Sequence, residues 1–153
     1  MARLEDFPEA FRKRLWDMPY PSLPDTPLRG GPPLAKRRVA IVTTAAMHRR
    51  GDRPFELGEA EYRIIPGETP AGELVLSHAS ASFDRGGLQQ DWNVVFPLDR
   101  LRELAAAGEI GSVADYHYAF MGSSDPAAME PHARTLAKQL RNDGVDAVLL
   151  TPV

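Results

Sequence analysis

The segment of this chain with the most evident chemical potential is TTAAMHRRGDRPF, which follows a β-branched, apolar run. Its polar side chains are those of Thr43, Thr44, His48, Arg49, Arg50, Asp52 and Arg53. An arginine guanidinium donates two parallel N–H groups to a carboxylate or phosphate, so the segment predicts a loop that binds a small anion. The alternative is a surface turn in which Asp52 pairs with its basic neighbours, and the sequence favours neither. His48 alone is more typical of a structural or solvated residue than of a catalytic one.

A second polar segment, SHASASFDRGGLQQDWNVVFP, contains oxygen and imidazole groups that could bind a metal ion. These groups belong to Ser77, His78, Asp84, Asp91 and Asn93. Their spacing matches no metal motif, so we expect solvated loop residues and no metal site. His117 and His132 are expected to be packing or surface residues. The sequence contains no nucleophile-elbow serine, P-loop, GxGxxG fingerprint or metalloprotease helix motif.

Composition narrows the class of protein. The 153 residues are 43% hydrophobic and 25% charged, which is typical of one globular domain. A formal net charge of -3 and a pI near 5.8 make nucleic acid and anionic membranes poor partners. No secretory signal or membrane-spanning apolar run is evident, so we expect a cytoplasmic protein. The absence of cysteine excludes disulfides, cysteine-bound metals and a cysteine nucleophile within these residues.

Hydrophobic patterns predict the elements that would position these groups. The predicted strands are KRRVAIVTT, YRIIP, GELVLSHA, a short NVVFP, YHYAFMG and a buried VDAVLLTPV, and the predicted helices are PLDRLRELAAAGEIG and SSDPAAMEPHARTLAKQLRNDG. This order predicts an α/β fold with a three-layer, mostly parallel open sheet of the Rossmann or flavodoxin type. Ligands bind outside the carboxyl ends of the strands in such sheets. We therefore expect TTAAMHRRGDRPF, MGSSD and TPV to meet at one edge.

The first 37 residues are predicted to be a separate helix and arm, followed by an α/β domain over residues 38–153. An apolar stripe at helical spacing consists of Leu4, Phe7, Phe11, Leu15 and Met18, with Trp16 beside it. The segment MPYPSLPDTPLRGGPP is too rich in proline for a helix or central strand and is expected to be extended. Docking of the stripe on its own domain is favoured over a subunit contact.

Four segments, taken in order, resemble the selenoprotein B family of the glycine, sarcosine, betaine and D-proline reductases. They are VAIVTTAAMHRRGDRPF, RIIPGETPAGELVLSHAS, DWNVVFPLDRLRELAAAGEIGSVADYHYAFMG and LRNDGVDAVLLTPV. The resemblance runs from about residue 38 to Val153. It implies reductive cleavage of a C–N bond alpha to a carboxylate, with electrons from a thiol or thioredoxin-like donor. It also implies other reductase subunits as partners, one of which carries a pyruvoyl group, and no cofactor in this chain.

In that family the strand corresponding to DAVLLTPV is followed directly by selenocysteine, or by cysteine in some relatives. Because selenocysteine is encoded by UGA, which is also a stop codon, we expect this chain to be the amino-terminal fragment of a longer selenoprotein. The catalytic nucleophile would then follow Val153, and these residues alone would be inactive. By position and chemistry, Arg50 and Arg53, with Thr44 and Thr151, are expected to bind the substrate. His48 is a possible proton donor.

Two other classes remain open. The chain could be a non-catalytic α/β module that binds a small carboxylate at HRRGDRP. It could also be a structural subunit of an oligomer, with a proline-rich arm and an exposed C-terminal strand that recruit partners, because an incompletely covered sheet favours pairing and a homo-oligomer is expected.

Overall fold

The computed structural model describes residues 4–17, 30–80 and 85–153. In chain order the strands are β1 (Arg38–Thr43), β2 (Met47–Arg49), β3 (Arg63–Pro66), β4 (Leu74–Leu76), β5 (Ser112–Val113), β6 (Tyr116–Ala119) and β7 (Ala147–Thr151). The helices are α1 (Glu9–Trp16), α2 (Gly86–Gln90), α3 (Leu98–Ala106) and α4 (Pro126–Asn142). Among the described residues, no helix is long and apolar enough to cross a membrane.

Strand β1 is the centre of the main sheet. It pairs in parallel with β7 from Val39 to Thr43. Because a strand has two hydrogen-bonding edges, its other edge is shared by β5 near Arg38 and by β6 near Val42, both parallel to it. Strand β3 pairs antiparallel with β6, and β2 and β4 form a separate antiparallel ribbon.

Alternation along β1 divides the hydrophobic core between the two faces of this sheet. Val39 and Ile41 belong to one cluster, together with Leu98 and Leu101 of α3. Ala40 belongs to the other, to which α4 contributes the two buried side chains Leu136 and Leu140. Buried on both faces, β1 needs the continuous apolar run that its sequence provides.

The predicted α/β class is confirmed, but the sheet is mixed. The predicted strand YRIIP is the antiparallel β3, and GELVLSHA contributes only the short β4, outside the main sheet. Within the predicted loop AAMHRRGDRPF, residues Met47–Arg49 form β2 as the partner of β4. The three-layer, mostly parallel open sheet of the Rossmann or flavodoxin type remains a prediction.

Both predicted helices form, and local chemistry explains where α4 begins and ends. The Asp125 carboxylate accepts a hydrogen bond from Ala127 N at 2.9 Å, and Pro126 occupies the first turn, where its missing N–H costs nothing. Beyond the C-terminus, Gly144 adopts a φ of 70°, a left-handed conformation that glycine tolerates best. Glu130 and Arg134 form the expected ion pair on the exposed face.

Two sequence predictions are wrong in their details. The segment NVVFP is not a strand: Trp92–Val94 form a 3-10 turn, which Asp91 caps by accepting from Asn93 N at 2.9 Å. The last strand, β7, is not buried but lies at the edge of the sheet. Its Leu150 side chain is 68% exposed, and Val148 and Leu149 are also exposed. One edge of an apolar strand is therefore open in this structure.

The amino-terminal helix is confirmed as α1, but its aromatic side chains are exposed. Trp16 is 79% and Phe11 40% exposed, and Phe11 stacks against Phe7 with ring centroids 5.1 Å apart. This exposure gives no support to the predicted docking of the stripe on the domain. Met18 and most of the predicted Pro-rich arm lie outside the described residues, and the division at residue 37 stays a prediction.

Candidate functional site

The carboxyl ends of β1, β6 and β7 meet at one edge of the main sheet, because these strands are parallel and in register. Thr44 N donates to Thr151 O at 3.2 Å, and Phe120 N donates to Thr43 O at 2.9 Å. The three segments expected at the strand ends therefore lie together. We call this region the strand-end edge.

Thr44 and Thr151, both predicted to bind substrate, are neighbours at the strand-end edge. The Thr44 hydroxyl accepts a hydrogen bond from Val153 N at 2.9 Å, so it holds the backbone that leaves β7. The Thr151 hydroxyl donates to Val95 O at 2.9 Å and is committed to the adjoining loop. Of the two threonines, Thr44 is thus the one that fixes the path of the chain beyond the strand.

The turn that follows Thr44 is strained and tied down on two sides. Ala46 has a φ of 53°, in the left-handed region that non-glycine residues rarely adopt. Its N–H donates to Phe120 O at 2.8 Å, and its carbonyl accepts from Ser77 N at 3.1 Å. The turn is therefore held by the residue after β6 on one side and by the segment after β4 on the other.

Gly122 approaches this turn so closely that no side chain fits there. A Cβ built on Gly122 would lie 2.6 Å from Thr44 O and 3.0 Å from Thr44 Cβ. The same Cβ would lie 3.3 Å from His78 Nε2, and Gly122 itself has a φ of 80°. Position 122 requires glycine both for space and for conformation. We call Thr44, Gly122 and His78 the strand-end corner.

Arg53 lies in a loop that is joined to the strand-end edge. Ser124, two residues beyond Gly122, donates its hydroxyl to Glu59 O, and the Glu59 carboxylate pairs with Arg53 and with Arg63. Arg63 is largely buried and its guanidinium lies 4.4 Å from the Phe55 ring centroid, whereas the Arg53 side chain is 59% exposed. Burial acts to raise the pKa of Glu59, but the Glu56 amide and Arg63 hold it below its usual value.

Arg50 lies in a different region, directly after the last residue of β2. Its N–H donates to Glu73 O at 2.6 Å and its guanidinium to Gly72 O at 3.2 Å. It opens into a cavity of about 420 Å³. The residues lining this cavity are Arg49, Arg50, Asp52, Pro66, Glu68, Thr69, Pro70 and Glu73. Arg49 pairs with Asp52 at 3.0 Å, as the surface-turn alternative predicted, so the basic segment is divided between two regions.

His48 is buried rather than solvated, with 3% of its surface exposed. Its Nδ1 lies 2.9 Å from Arg49 O, so a neutral ring carries its proton on Nδ1 and presents Nε2 as an acceptor. Within the described part of the chain, Nε2 has no hydrogen-bond partner. Donation of a proton from Nε2 would require the imidazolium form, and the role of His48 as a proton donor stays a prediction.

The second polar segment forms no metal site in the part of the chain that the structure describes, where no group of three metal-binding side chains occurs. His78 is buried beside Gly122, and Asp91 accepts from the backbone and side chain of Asn93. Asp84 lies outside the described residues. The sequence analysis missed Glu59, Arg63 and Gly122 entirely. The i, i+4 spacing of Glu59 and Arg63 and a glycine directly after a strand were the available signals.

Fold and site together define a mixed α/β domain whose candidate site lies at the carboxyl ends of three parallel strands. The family model of glycine/sarcosine/betaine reductase selenoprotein B matches residues 62–153, and the chain belongs to this family. The resemblance found in the sequence is thereby confirmed. No solved structure matches the chain.

Curated relatives carry the names of reductase components. The chain is 38% identical over 116 residues to D-proline reductase subunit gamma of Acetoanaerobium sticklandii, an alignment that covers 74% of this chain and 47% of that protein. It is 32% identical over 123 residues to glycine reductase complex component B subunit gamma of Carboxydothermus hydrogenoformans, covering 77% and 28%. A third, betaine reductase complex component B subunit beta of Peptoclostridium acidaminophilum, is 31% identical over 125 residues, again covering 77% and 28%. The chain thus spans about half or less of these relatives.

Proposed function

We propose that this chain supplies the strand-end edge to a selenocysteine-dependent reductase component that cleaves a C–N bond alpha to a carboxylate. The main support for this proposal is the hydrogen bond between Thr44 and Thr151 at the ends of parallel strands, where open α/β sheets bind ligands. Its relatives are named as components of reductases for glycine, betaine and D-proline, all small carboxylates with an α-nitrogen. A complete three-layer sheet of the Rossmann or flavodoxin type is part of this proposal.

The nucleophile of the proposed reaction is a selenolate or thiolate placed at the end of β7. A selenolate is ionised at neutral pH, which is the property that makes a low-pKa thiolate a good nucleophile. The hydrogen bond from Val153 N to the Thr44 hydroxyl would direct the backbone beyond β7 across the strand-end edge. The family resemblance supports this step. The 153 residues themselves contain no cysteine that could act as the nucleophile.

Sequencing the gene past codon 153 tests the nucleophile directly. A UGA codon followed by an in-frame continuation supports it. A UAA or UAG codon without continuation contradicts it.

Arg53 is the residue at this edge best suited to bind the substrate carboxylate. Glu59 already has a second arginine partner in the largely buried Arg63, at 2.7 Å. Arg53 also pairs with the exposed Glu61 at 3.5 Å, so these four groups carry no net charge. Glu59 keeps Arg63 and Glu61 remains solvated if Arg53 turns to a substrate, so neither carboxylate is left buried and unpaired. The Arg53 side chain is 59% exposed, which gives it the freedom to do so.

The substrate-binding role is tested in the complete reductase with its partner subunits. Replacing a charge-assisted pair by a neutral side chain removes about 1.5–3 kcal/mol, so Arg53→Met should raise KM roughly tenfold or more. Arg134→Met, an exposed arginine on α4, is the matched control, and Arg50→Met tests the second predicted arginine. Equal KM values for Arg53→Met and Arg134→Met would contradict the assignment of Arg53.

The remaining partners follow the family. A pyruvoyl group would belong to a separate subunit, and a cytoplasmic thiol or thioredoxin-like protein would supply electrons. The exposed edge of β7 would contact another subunit or a second copy of the chain. A strictly monomeric chain by light scattering, with no association with the other subunits, would contradict this.

A binding module without catalysis is the second candidate, and the cavity beside Arg50 favours it. This cavity combines a guanidinium with the carboxylates of Glu68 and Glu73, a charge arrangement that suits a small amino acid zwitterion. Calorimetric titration of the isolated chain with glycine, proline or a hydroxy acid should give saturable binding that Arg50→Ala weakens. Absence of binding would eliminate this candidate.

A further inference from the structure

His78 is fixed at the strand-end corner by backbone contacts. Its ring is 4% exposed, and Ser80 N donates to its Nδ1 at 3.1 Å. Arg85 donates a hydrogen bond to the His78 carbonyl at 2.6 Å. Burial, and to a lesser extent the charge of Arg85, lowers the pKa of His78 and favours the neutral ring. Since Nδ1 is an acceptor, the neutral ring carries its proton on Nε2.

The ring contacts the corner through Gly122. His78 Nε2 and Thr44 border the same space beside Gly122, because a Cβ built on Gly122 would lie 3.3 Å from Nε2 and 2.6 Å from Thr44 O. Gly122 therefore has no room to shift toward either neighbour. The residue before His78 is anchored as well, because Ser77 N donates to Ala46 O and its hydroxyl accepts from Phe55 N at 2.8 Å.

We propose that His78 is a positioning residue of the reductase: its ring closes the space beside Gly122 and Thr44, so that the Thr44 hydroxyl stays directed at the backbone N–H of residue 153. The inference rests on the proposed function, because it matters only if chemistry occurs at the strand-end edge. His78 itself is buried and touches no reacting group. Its effect passes through Gly122 and Thr44 to the backbone that leaves β7.

In this proposal, position 78 needs a rigid side chain that fills the space beside Gly122. The turn at Ala46 is strained, and strain persists only where the surroundings over-determine the backbone. A displacement of about 1 Å at a reacting centre can cost roughly a hundredfold in rate. Loss of the ring would release Gly122 and let Thr44 drift from its position under residue 153.

The experiment compares four variants of the complete reductase, assembled with its partner subunits: His78→Ala, His78→Asn, Thr44→Val and the double variant His78→Ala/Thr44→Val. His78→Ala should lower kcat roughly tenfold to a hundredfold with little change in KM. His78→Asn should recover little of kcat, because its amide oxygen can accept the Ser80 N–H as Nδ1 does but its shorter side chain does not reach Gly122 as Nε2 does. The double variant should be no slower than Thr44→Val alone, because both substitutions act on the same hydrogen bond.

Each outcome separates the two proposals. If Thr44→Val leaves kcat unchanged, the strand-end edge is not the reaction site and the proposed function fails. If Thr44→Val lowers kcat but His78→Ala does not, or if the two losses multiply in the double variant, the positioning role of His78 is overturned while the proposed function stands. Should His78→Ala not fold by circular dichroism, His78→Ser, which also leaves the space beside Gly122 empty, takes its place in the same comparison.

Discussion

Protonation of His117 should destabilise the domain at acidic pH. The ring is fully buried in β6, at the point where β1 passes from its pairing with β5 to its pairing with β6. Its Nδ1 accepts a hydrogen bond from Ile41 N at 3.0 Å, in a position normally taken by a backbone carbonyl. A proton on Nδ1 would convert this acceptor into a donor facing another donor. The central strand would then lose a hydrogen bond within the core.

The size of the effect follows from the pKa. Burial, with smaller contributions from Arg102 and Arg38 that outweigh the opposing Asp115, lowers the pKa of His117 from 6.5 to about 4. Between these pH values the unfolded chain binds a proton that the folded chain does not, so stability falls as the pH falls. The stabilisation is fully present above pH 6.5 and lost progressively down to about pH 4. The whole difference amounts to about 3 kcal/mol, a large part of a typical domain stability of roughly 5–15 kcal/mol.

Urea unfolding of the chain at several pH values between about 7.5 and 4 measures this effect. His117→Asn removes the titration while its amide oxygen can still accept from Ile41 N–H, so it should lose about 3 kcal/mol less than the unmodified chain over this range. Carboxylates titrate in both proteins and cancel in the comparison. His132→Asn supplies a histidine substitution outside the sheet. Parallel pH profiles for His117→Asn and the unmodified chain would refute the reasoning.

Three further substitutions test the packing around the candidate site. Gly122→Ala should lower the free energy of unfolding by about 2 kcal/mol or more, since a methyl group would overlap the Thr44 carbonyl at a positive φ; an unchanged thermal midpoint would contradict the close approach of these two backbone segments. Arg63→Met should cost about 1.5–3 kcal/mol because Glu59 loses the less exposed of its two arginine partners, whereas Arg53→Met should cost less than about 1 kcal/mol; equal losses in urea unfolding would argue against the division of roles. Asp125→Ala should cost about 1 kcal/mol by removing the cap of α4, and Asp125→Ser should restore most of it.

Long elements with strong periodicity could be predicted from the sequence. The continuous apolar run of β1 indicated a central strand, and the stripe and capping residues of α4 indicated both the helix and its start. Short elements could not, because three residues such as Met47–Arg49 carry too little pattern to distinguish a strand from a loop. The exposure of β7 was expected only under the structural-subunit alternative, because the apolar composition of a strand predicts burial and does not show which residues would cover it.

Thr44 and Thr151 could be predicted to meet because parallel strands align their carboxyl ends. The contributions of His78 and Gly122 could not. A histidine in a polar segment has no periodic signal, and the need for glycine at position 122 arises from a backbone approach between segments distant in sequence. Arg50 and Arg53 are close in sequence and were therefore predicted to form one basic cluster. In the structure Arg50 contacts Gly72, whereas Arg53 contacts Glu59.

The β2–β4 ribbon helps to hold the strained turn after β1 in place. It lies outside the main sheet, yet the chain leaving β4 provides Ser77 and His78, which contact the turn after β1 and the loop after β6. A strained residue such as Ala46 costs about 1–3 kcal/mol and persists only when its neighbours restrain it. Ser77, directly after β4, supplies one of those restraints, and Phe120, directly after β6, supplies the other. Disrupting β4 should therefore alter the strand-end edge before it unfolds the main sheet.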